Sequence, residues 1–356
     1  MRYLAVLAVS AVTLLCSVGA INFAVDPAQL FHGGVCERHV ADLLAAGTNA
    51  ANVDNYDERL LQRYYVDALQ AAKDILVIGS SRSMEIRSAM FPHHSLFNAS
   101  VSGASIEDLI SIYQMYFERG FVPKLLILGV DPWLLNEANG QTRWGTLSQE
   151  YFAARRRLGL DVQSLTPWKH HGRSKFRELL SLAYLERSLS EWTNRSDAGL
   201  ADATALDVGD VPIKRADGSL AYGRAFRSAV PSKVLADAVS YATKKPAYSL
   251  GDFKGLSPVI EGTFERFVTD LQTHGVEVVL YLPPYHPETY RLLVADSEYR
   301  IIQDAERYFR DFGARHAVRV TGSYNPSDIP CDASEFFDGM HPKEPCVEKN
   351  MGSSPN

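Results

Sequence analysis

Four apolar residues in a row, Ile75-Leu76-Val77-Ile78, stop at Gly79-Ser80-Ser81. The run is too short for a helix of its own and rich in β-branched side chains, so it reads as a strand buried on both faces. The serines that follow suit a helix start, and Met84, Glu85 and Ile86 begin an amphipathic pattern, which predicts a helix directly after the turn. A strand, a tight turn and a helix together place a small hydroxyl at the strand's carboxyl end, where open α/β sheets bind ligands. The first N–H groups of such a helix would face negative charge developing there. Ser81 is therefore the leading candidate nucleophile. The plainer reading of the same residues is a serine cap on an ordinary βα turn.

Strands and helices alternate around this turn. Residues 56–72 carry Leu60, Leu61, Tyr64, Tyr65, Ala68 and Leu69 at helical spacing. Further strands are predicted at 94–98, from Lys124 to the Asp131-Pro132 turn, at 276–282 and at 317–320, with helices at 105–120, 257–274 and 287–313. This alternation predicts an α/β fold with a doubly wound, mostly parallel five-stranded sheet in a domain spanning 56–345. It breaks between 133 and about 256. Helices near 146–158, 173–194 and 232–244, with a hairpin turn at Ala216-Asp217-Gly218-Ser219, read there as a mainly helical insertion over the carboxyl edge of the sheet. Residues 25–55 read as an irregular connector with one short helix. The segment from Asn325 is loop-like, and 346–356 reads as a frayed tail.

Residues 3–24 are almost wholly apolar, interrupted by Ser10, Thr13, Cys16, Ser17 and Asn22. About 20 such residues cross a bilayer. Arg2 is the one basic residue before the run, and the positive-inside rule then places the rest of the chain outside the cytoplasm. Val18-Gly19-Ala20 suits a signal peptidase, so residues 1–24 read as a signal anchor or a cleaved signal peptide. Export follows in both cases, and it excludes ATP-driven cytoplasmic chemistry. In an oxidising compartment Cys331 and Cys346, 15 residues apart, are expected to be bridged. Zinc is excluded because no second Cys or His pair has ligand spacing. With a net charge of −6 and only the short run Arg155-Arg156-Arg157, the chain offers nucleic acid nothing to bind.

Three strand ends present small or polar groups on one rim: Ser81, then Ser102-Gly103, then Asp131. Asp338 and His341 arrive from the final segment. A serine hydroxyl needs a base to remove its proton, and histidine suits that role near neutral pH. A carboxylate fixes the tautomer of that base and stabilises its charge. Asp338 and His341, three residues apart, have the chemistry for both roles, although Asp338-Gly339 is also a plain turn signal. A Rossmann nucleotide site is excluded by the lack of G-x-G-x-x-G.

At these residues the chain resembles the SGNH (GDSL-like) hydrolase superfamily, over most of 74–342 apart from the insertion. Gly79-Ser80-Ser81 matches the family's first block, Asn98 to Gly103 the second, Gly129-Val130-Asp131-Pro132 the third, and Asp338 with His341 the last. The resemblance implies a flavodoxin-like SGNH fold, Ser81 as nucleophile, His341 as base, Asp338 as its partner, and the Ser81 and Gly103 N–H groups as oxyanion donors. It implies no metal or organic cofactor. Gly-Ser-Ser-Arg, Asp-Pro-Trp and Leu-Pro-Pro-Tyr-His-Pro look closest to the exported branch that handles O-acetylation of exopolysaccharide or D-alanylation of teichoic acid. The implied activity is that of a serine esterase or O-acyltransferase on acylated cell-envelope polysaccharide. Its partners would be an acylated glycan or acyl donor, the inner membrane and a membrane O-acyltransferase. The alternative is a non-catalytic glycan-binding or assembly component on the same fold.

The chain departs from that pattern in two places. The third-block asparagine, an oxyanion donor, is Asp131 here, and an ionised carboxylate only accepts. The 15 residues after His341 leave no room for the family's long closing helix. Arg82 is expected to pair with Asp131 or to bind an anionic substrate, the plainer reading being a solvated arginine at a helix start. Asp131 is expected on the oxyanion rim, so that activity on simple acetyl esters is weak and Asp131→Asn raises it; the alternative is that Asp131 holds Arg82 in place for substrate binding, and then the same change lowers it. His286, on the same rim, is a reserve candidate for base or substrate contact. Trp133, Trp144, Trp168 and Trp192 would suit a carbohydrate surface, with core packing the commoner role.

Overall fold

The computed structural model describes residues 2–25, 34–53, 56–161, 179–182, 185–186, 188–189 and 201–352. Helix α1 (Arg2–Val25) takes in the apolar run, and α2 (Val35–Ala45) and strand β1 (Asn49–Ala51) follow it. Then come α3 (Glu58–Ala68), β2 (Ile75–Ile78), β3 (Leu96–Asn98), α4 (Ile106–Glu118), β4 (Leu125–Gly129) and α5 (Ser148–Arg157). Short strands β5 (Asp202–Thr204), β6 (Ile213–Lys214) and β7 (Leu220–Ala221) precede α6 (Pro231–Thr243) and α7 (Pro258–Thr273). The chain continues with β8 (Glu277–Leu282), α8 (Pro287–Ala295), α9 (Ile301–His316), β9 (Arg319–Gly322) and α10 (Glu344–Met351).

The molecule is an α/β protein with a five-stranded, all-parallel sheet ordered β3-β2-β4-β8-β9 and a small antiparallel sheet ordered β5-β1-β6-β7. Every residue of β2 is buried, as its unbroken apolar run requires. Alternation along the strands divides the core. Leu76, Ile78, Leu126, Leu128 and Leu280 face a large cluster that includes Leu109 and Tyr113 of α4 and Phe264 and Phe267 of α7. Ile75, Val77, Ile127, Val279 and Tyr281 face Ile86, Phe91, Val347 and Met351 on the other side. Ser105 caps α4 in a box with Asp108, which places the start of that helix where the sequence pattern puts it.

Four expectations change. The helix predicted after Ser81 does not form; β2 leads into a 3₁₀ turn, Ser81–Ser83, and a second one follows at Ser88–Met90. Asn98 explains why, because its side-chain amide donates to the carbonyls of Ser83 and Ile86, both at 2.8 Å. Those carbonyls would serve the next turns of an α-helix. Moreover Arg82, Ser83, Met84, Glu85 and Ile86 are all buried, so the segment has no wet face for a surface helix. The helix predicted over 287–313 breaks between α8 and α9, where Asp296 is extended and its carboxylate accepts from Glu298 N at 3.0 Å. The insertion is mixed rather than mainly helical among the described residues: β5 and β6 pair with β1 from the supposed connector, β7 pairs with β6, and the 173–194 helix falls largely outside them. Finally, the expected tail folds as α10, with Cys346, Val347, Asn350 and Met351 buried.

Cys331 and Cys346 form a disulfide, with Cα atoms 5.4 Å apart, that ties the start of α10 to the preceding loop. Such a bond persists outside the reducing cytoplasm. Cys16 and Cys36 are free. Val6, Val9, Val12 and Leu14 of α1 are exposed, while Asn22 near its end is buried and donates to the carbonyls of Leu179 at 3.0 Å and Ser181 at 3.2 Å. Among the described residues no helix is long and apolar enough to cross a membrane, several side chains in the first half of α1 lying outside them.

Candidate active site

The end of β2 sets the position of Ser81. Gly79 lies so close to Gly129 at the end of β4 that a Cβ on Gly79 would stand 2.6 Å from Ser83 Oγ and 2.9 Å from Gly129 Cα. Glycine at both strand ends lets the Ser83 side chain fit between them. Ser80 then caps the turn: its hydroxyl accepts from Arg82 N at 3.1 Å and its carbonyl from Ser83 N at 3.0 Å. Ser81 leaves the sheet with its hydroxyl at a cavity of about 570 Å³.

His341 meets it there. Ser81 Oγ lies 2.9 Å from His341 Nε2, and His341 Nδ1 lies 2.8 Å from Asp338 Oδ2. The other Asp338 oxygen accepts from Met340 N at 2.8 Å and His341 N at 2.9 Å, so the D-x-x-H spacing folds as a turn that aims the imidazole. Burial opposes charge on Asp338, but the hydrogen bonds from His341 and the backbone outweigh it and hold the carboxyl below its ordinary range. An ionised Asp338 fixes the proton on Nδ1 and leaves Nε2 free to accept from Ser81. Residues separated by 260 positions thus form one relay.

Gly103 also lines the cavity, at the end of a loop that leaves β3. Its φ of +57° favours glycine. A Cβ there would also collide with Tyr248 Oη and stand 2.5 Å from Arg143 Nη2. The loop is held from α3. Glu58 accepts from both Ser102 N (2.5 Å) and Ser102 Oγ (2.8 Å), and Arg59 reaches the Ser102 carbonyl at 3.3 Å while forming a buried two-point pair with Asp108. Neither the Ser81 nor the Gly103 backbone N–H donates to another residue among those described. Glu58, Arg59 and Asp108 carry no catalytic motif, and sequence reasoning missed them. The one available signal was the capping box at the start of α4.

Arg82 and Asp131 lie behind this arrangement, fully buried and off the cavity wall. Arg82 Nη1 donates to Asp131 Oδ1 at 2.8 Å, Nε to the Met340 carbonyl at 2.9 Å and Nη2 to the Pro283 carbonyl at 2.6 Å. Its guanidinium carbon stands 3.9 Å over the ring of Tyr285. With all of these groups engaged, Arg82 is a tie between the turn after β2, the end of β8 and the residue before His341. Burial pushes the Asp131 carboxyl up, with Arg82 and the Ser80 hydroxyl opposing, and Asp131 Oδ2 lacks a well-formed hydrogen bond among the described residues. His286 is likewise placed away from the cavity. It is buried at the start of α8, where Nδ1 accepts from Glu288 N at 3.1 Å, and burial lowers its pKa.

The insertion closes the site from above. Tyr222, just after β7, points its hydroxyl at the Ser81 carbonyl (3.5 Å) and its ring at His341 (6.0 Å) and Phe337 (5.0 Å). Tyr248 and Lys244 border the same cavity, and Met84, Leu220 and Met340 supply apolar wall. Trp133 is fully buried, its indole N–H donating to the Ala104 carbonyl at 3.0 Å, so it serves mainly as core. Trp144 is half-buried against Tyr151, and Trp168 and Trp192 lie outside the described residues. No metal-binding cluster of His, Cys, Asp and Glu occurs among the described residues. Comparison with protein-family models, with curated proteins and with solved structures finds no match for this chain.

Proposed function

We propose that this protein is an exported serine esterase or O-acyltransferase of SGNH type that acts on acylated cell-envelope polysaccharide. The observation that carries the reading is the relay from Ser81 Oγ through His341 (2.9 Å) to Asp338 (2.8 Å). Ser81 attacks the acyl carbonyl as His341 Nε2 takes its proton, and the Asp338 carboxylate stabilises the imidazolium that forms. The carbonyl oxygen gains negative charge and is held by the Ser81 and Gly103 N–H groups. His341 then returns the proton to the departing oxygen, leaving the acyl group on Ser81. Water completes a hydrolysis, and a glycan hydroxyl completes a transfer.

The strand order β3-β2-β4-β8-β9, second strand outermost and first beside it, supports the flavodoxin-like form of the fold. The site at the carboxyl ends of β2 and β4 follows the general rule for such sheets. The Cys331–Cys346 disulfide supports export. The exposed apolar side chains Val6, Val9, Val12 and Leu14 of α1 would suit contact with the inner membrane, where a membrane O-acyltransferase would supply the acyl donor.

A fluorophosphonate probe tests the reading. Covalent labelling at Ser81, abolished in Ser81→Ala and in His341→Ala, is the expected result. Folded protein that is never labelled at Ser81 would remove the enzyme and leave the non-catalytic glycan-binding alternative.

A further inference from the structure

The relay needs somewhere to put negative charge, and the side chain at the end of β4 does not help. Asp131 is an acceptor when ionised, it is buried, and it is committed to Arg82. Only two backbone N–H groups remain from the strand ends. An arginine of the insertion lies beside one of them. Arg143 opens the 3₁₀ turn Arg143–Leu147, and its Nη2 lies over Gly103, 2.5 Å from where a Cβ would stand. Arg143 is exposed, and its one hydrogen bond among the described residues is a long one, 3.5 Å to Tyr248 Oη. No carboxylate among the described residues pairs with it. Arg143 lines a second cavity, which adjoins the Ser81 cavity at Ser102, Leu220 and Tyr222, and the acids that line it with Arg143 are engaged elsewhere: Glu58 on Ser102, and Asp57 on the first N–H groups of α3 and on Thr146. An uncommitted cation therefore sits beside a candidate oxyanion donor.

We propose that Arg143 is a catalytic residue of the acyl-transfer reaction, its guanidinium giving the developing oxyanion the side-chain donor that Asp131 cannot supply. This assignment rests on the esterase reading. In each half-reaction the carbonyl π pair moves onto oxygen, Arg143 donates to that oxygen without transferring its proton, and the pair returns when the leaving oxygen departs. A donor acting on the transition state lowers kcat when removed and leaves KM for a small neutral ester unchanged. A cation that recognises an acidic glycan does the reverse.

The test compares wild type, Arg143→Ala and Arg143→Lys on a neutral chromogenic acetate, together with the rate at which a fluorophosphonate labels Ser81. Thermal unfolding checks that both variants are folded. The expected result is a fall of about tenfold to a hundredfold in kcat and in labelling rate for Arg143→Ala, partly restored in Arg143→Lys, with KM changed less than about twofold. Equal rates in wild type and Arg143→Ala overturn the assignment, as does a change confined to KM for an acidic glycan ester. Wild type that is not labelled at all removes the esterase reading, and the Arg143 assignment with it. Wild type labelled no faster than Arg143→Ala removes the assignment alone.

Discussion

Arg82 follows Ser81 in the chain, yet its side chain points the opposite way, into the protein. A guanidinium with no solvent contact requires a counter-charge and acceptors for its donors, and Asp131, Met340 and Pro283 supply them. The choice between raised and lowered activity in Asp131→Asn is therefore decided by what Arg82 holds. Its Nε fixes the Met340 carbonyl, one residue from His341, so disturbing the pair disturbs the base. Asp131→Asn is expected to lower stability by about 3 kcal/mol, because it leaves a buried cation uncompensated. It is also expected to slow hydrolysis of a chromogenic acetate. Urea denaturation and initial rates measure both effects. A faster variant would show that the Asp131 charge acts against the oxyanion instead.

The segment between β2 and β3 shows how one side chain overrides a local pattern. Ser80 to Ile86 carries helix-start chemistry, but Asn98 captures two carbonyls that a helix would use, and the segment is drawn into the core. Glu85 goes with it. Burial, with Glu344 adding to it and Arg215, Arg87 and Arg227 opposing, pushes its carboxyl up to about 7 from an ordinary 4.5. The folded protein then keeps this proton to higher pH than the unfolded chain does. Stability from this group is accordingly lost as pH rises from about 4.5 to about 7, and the loss is complete above that window. Glu85→Gln removes the titration. Urea midpoints at pH 5 and pH 8 should show the variant gaining on wild type at the higher pH, by up to on the order of 3 kcal/mol. A wild-type-to-variant difference that is the same at both pH values would place Glu85 in a wetter setting than its burial implies.

Across the whole molecule, the cavity is assembled from parts far apart in the chain: the turn after β2, the loop after β3, Trp133 beyond β4, the insertion with Tyr222 and Tyr248, and the carboxyl-terminal loop with Met340 and His341. That last loop is secured on both sides, by Arg82 from within and by α10 with its Cys331–Cys346 bond. Closing a loop of 15 residues stabilises a protein by roughly 3 kcal/mol through the unfolded state. Reductant should therefore lower the unfolding temperature of wild type and leave the Cys331→Ser/Cys346→Ser double variant unaffected; equal responses would show that the bond contributes nothing. The sequence alone determined the five strands, α4, α7, the disulfide and the four candidate residues Ser81, Gly103, Asp338 and His341. In each case the signal is local: an apolar run, a cap, a glycine, a cysteine spacing or a D-x-x-H turn. Only the tertiary structure decided that the segment after Ser81 is not a helix, that Arg82 and Asp131 face inward, that His286 is a helix cap, and that Glu58 and Arg143 reach the Ser102-Gly103 loop. Apart from the His286 cap, which is local, those outcomes depend on which polar group finds a neighbour some 12 or more residues away, and a contact between distant segments leaves no periodicity for the sequence to display.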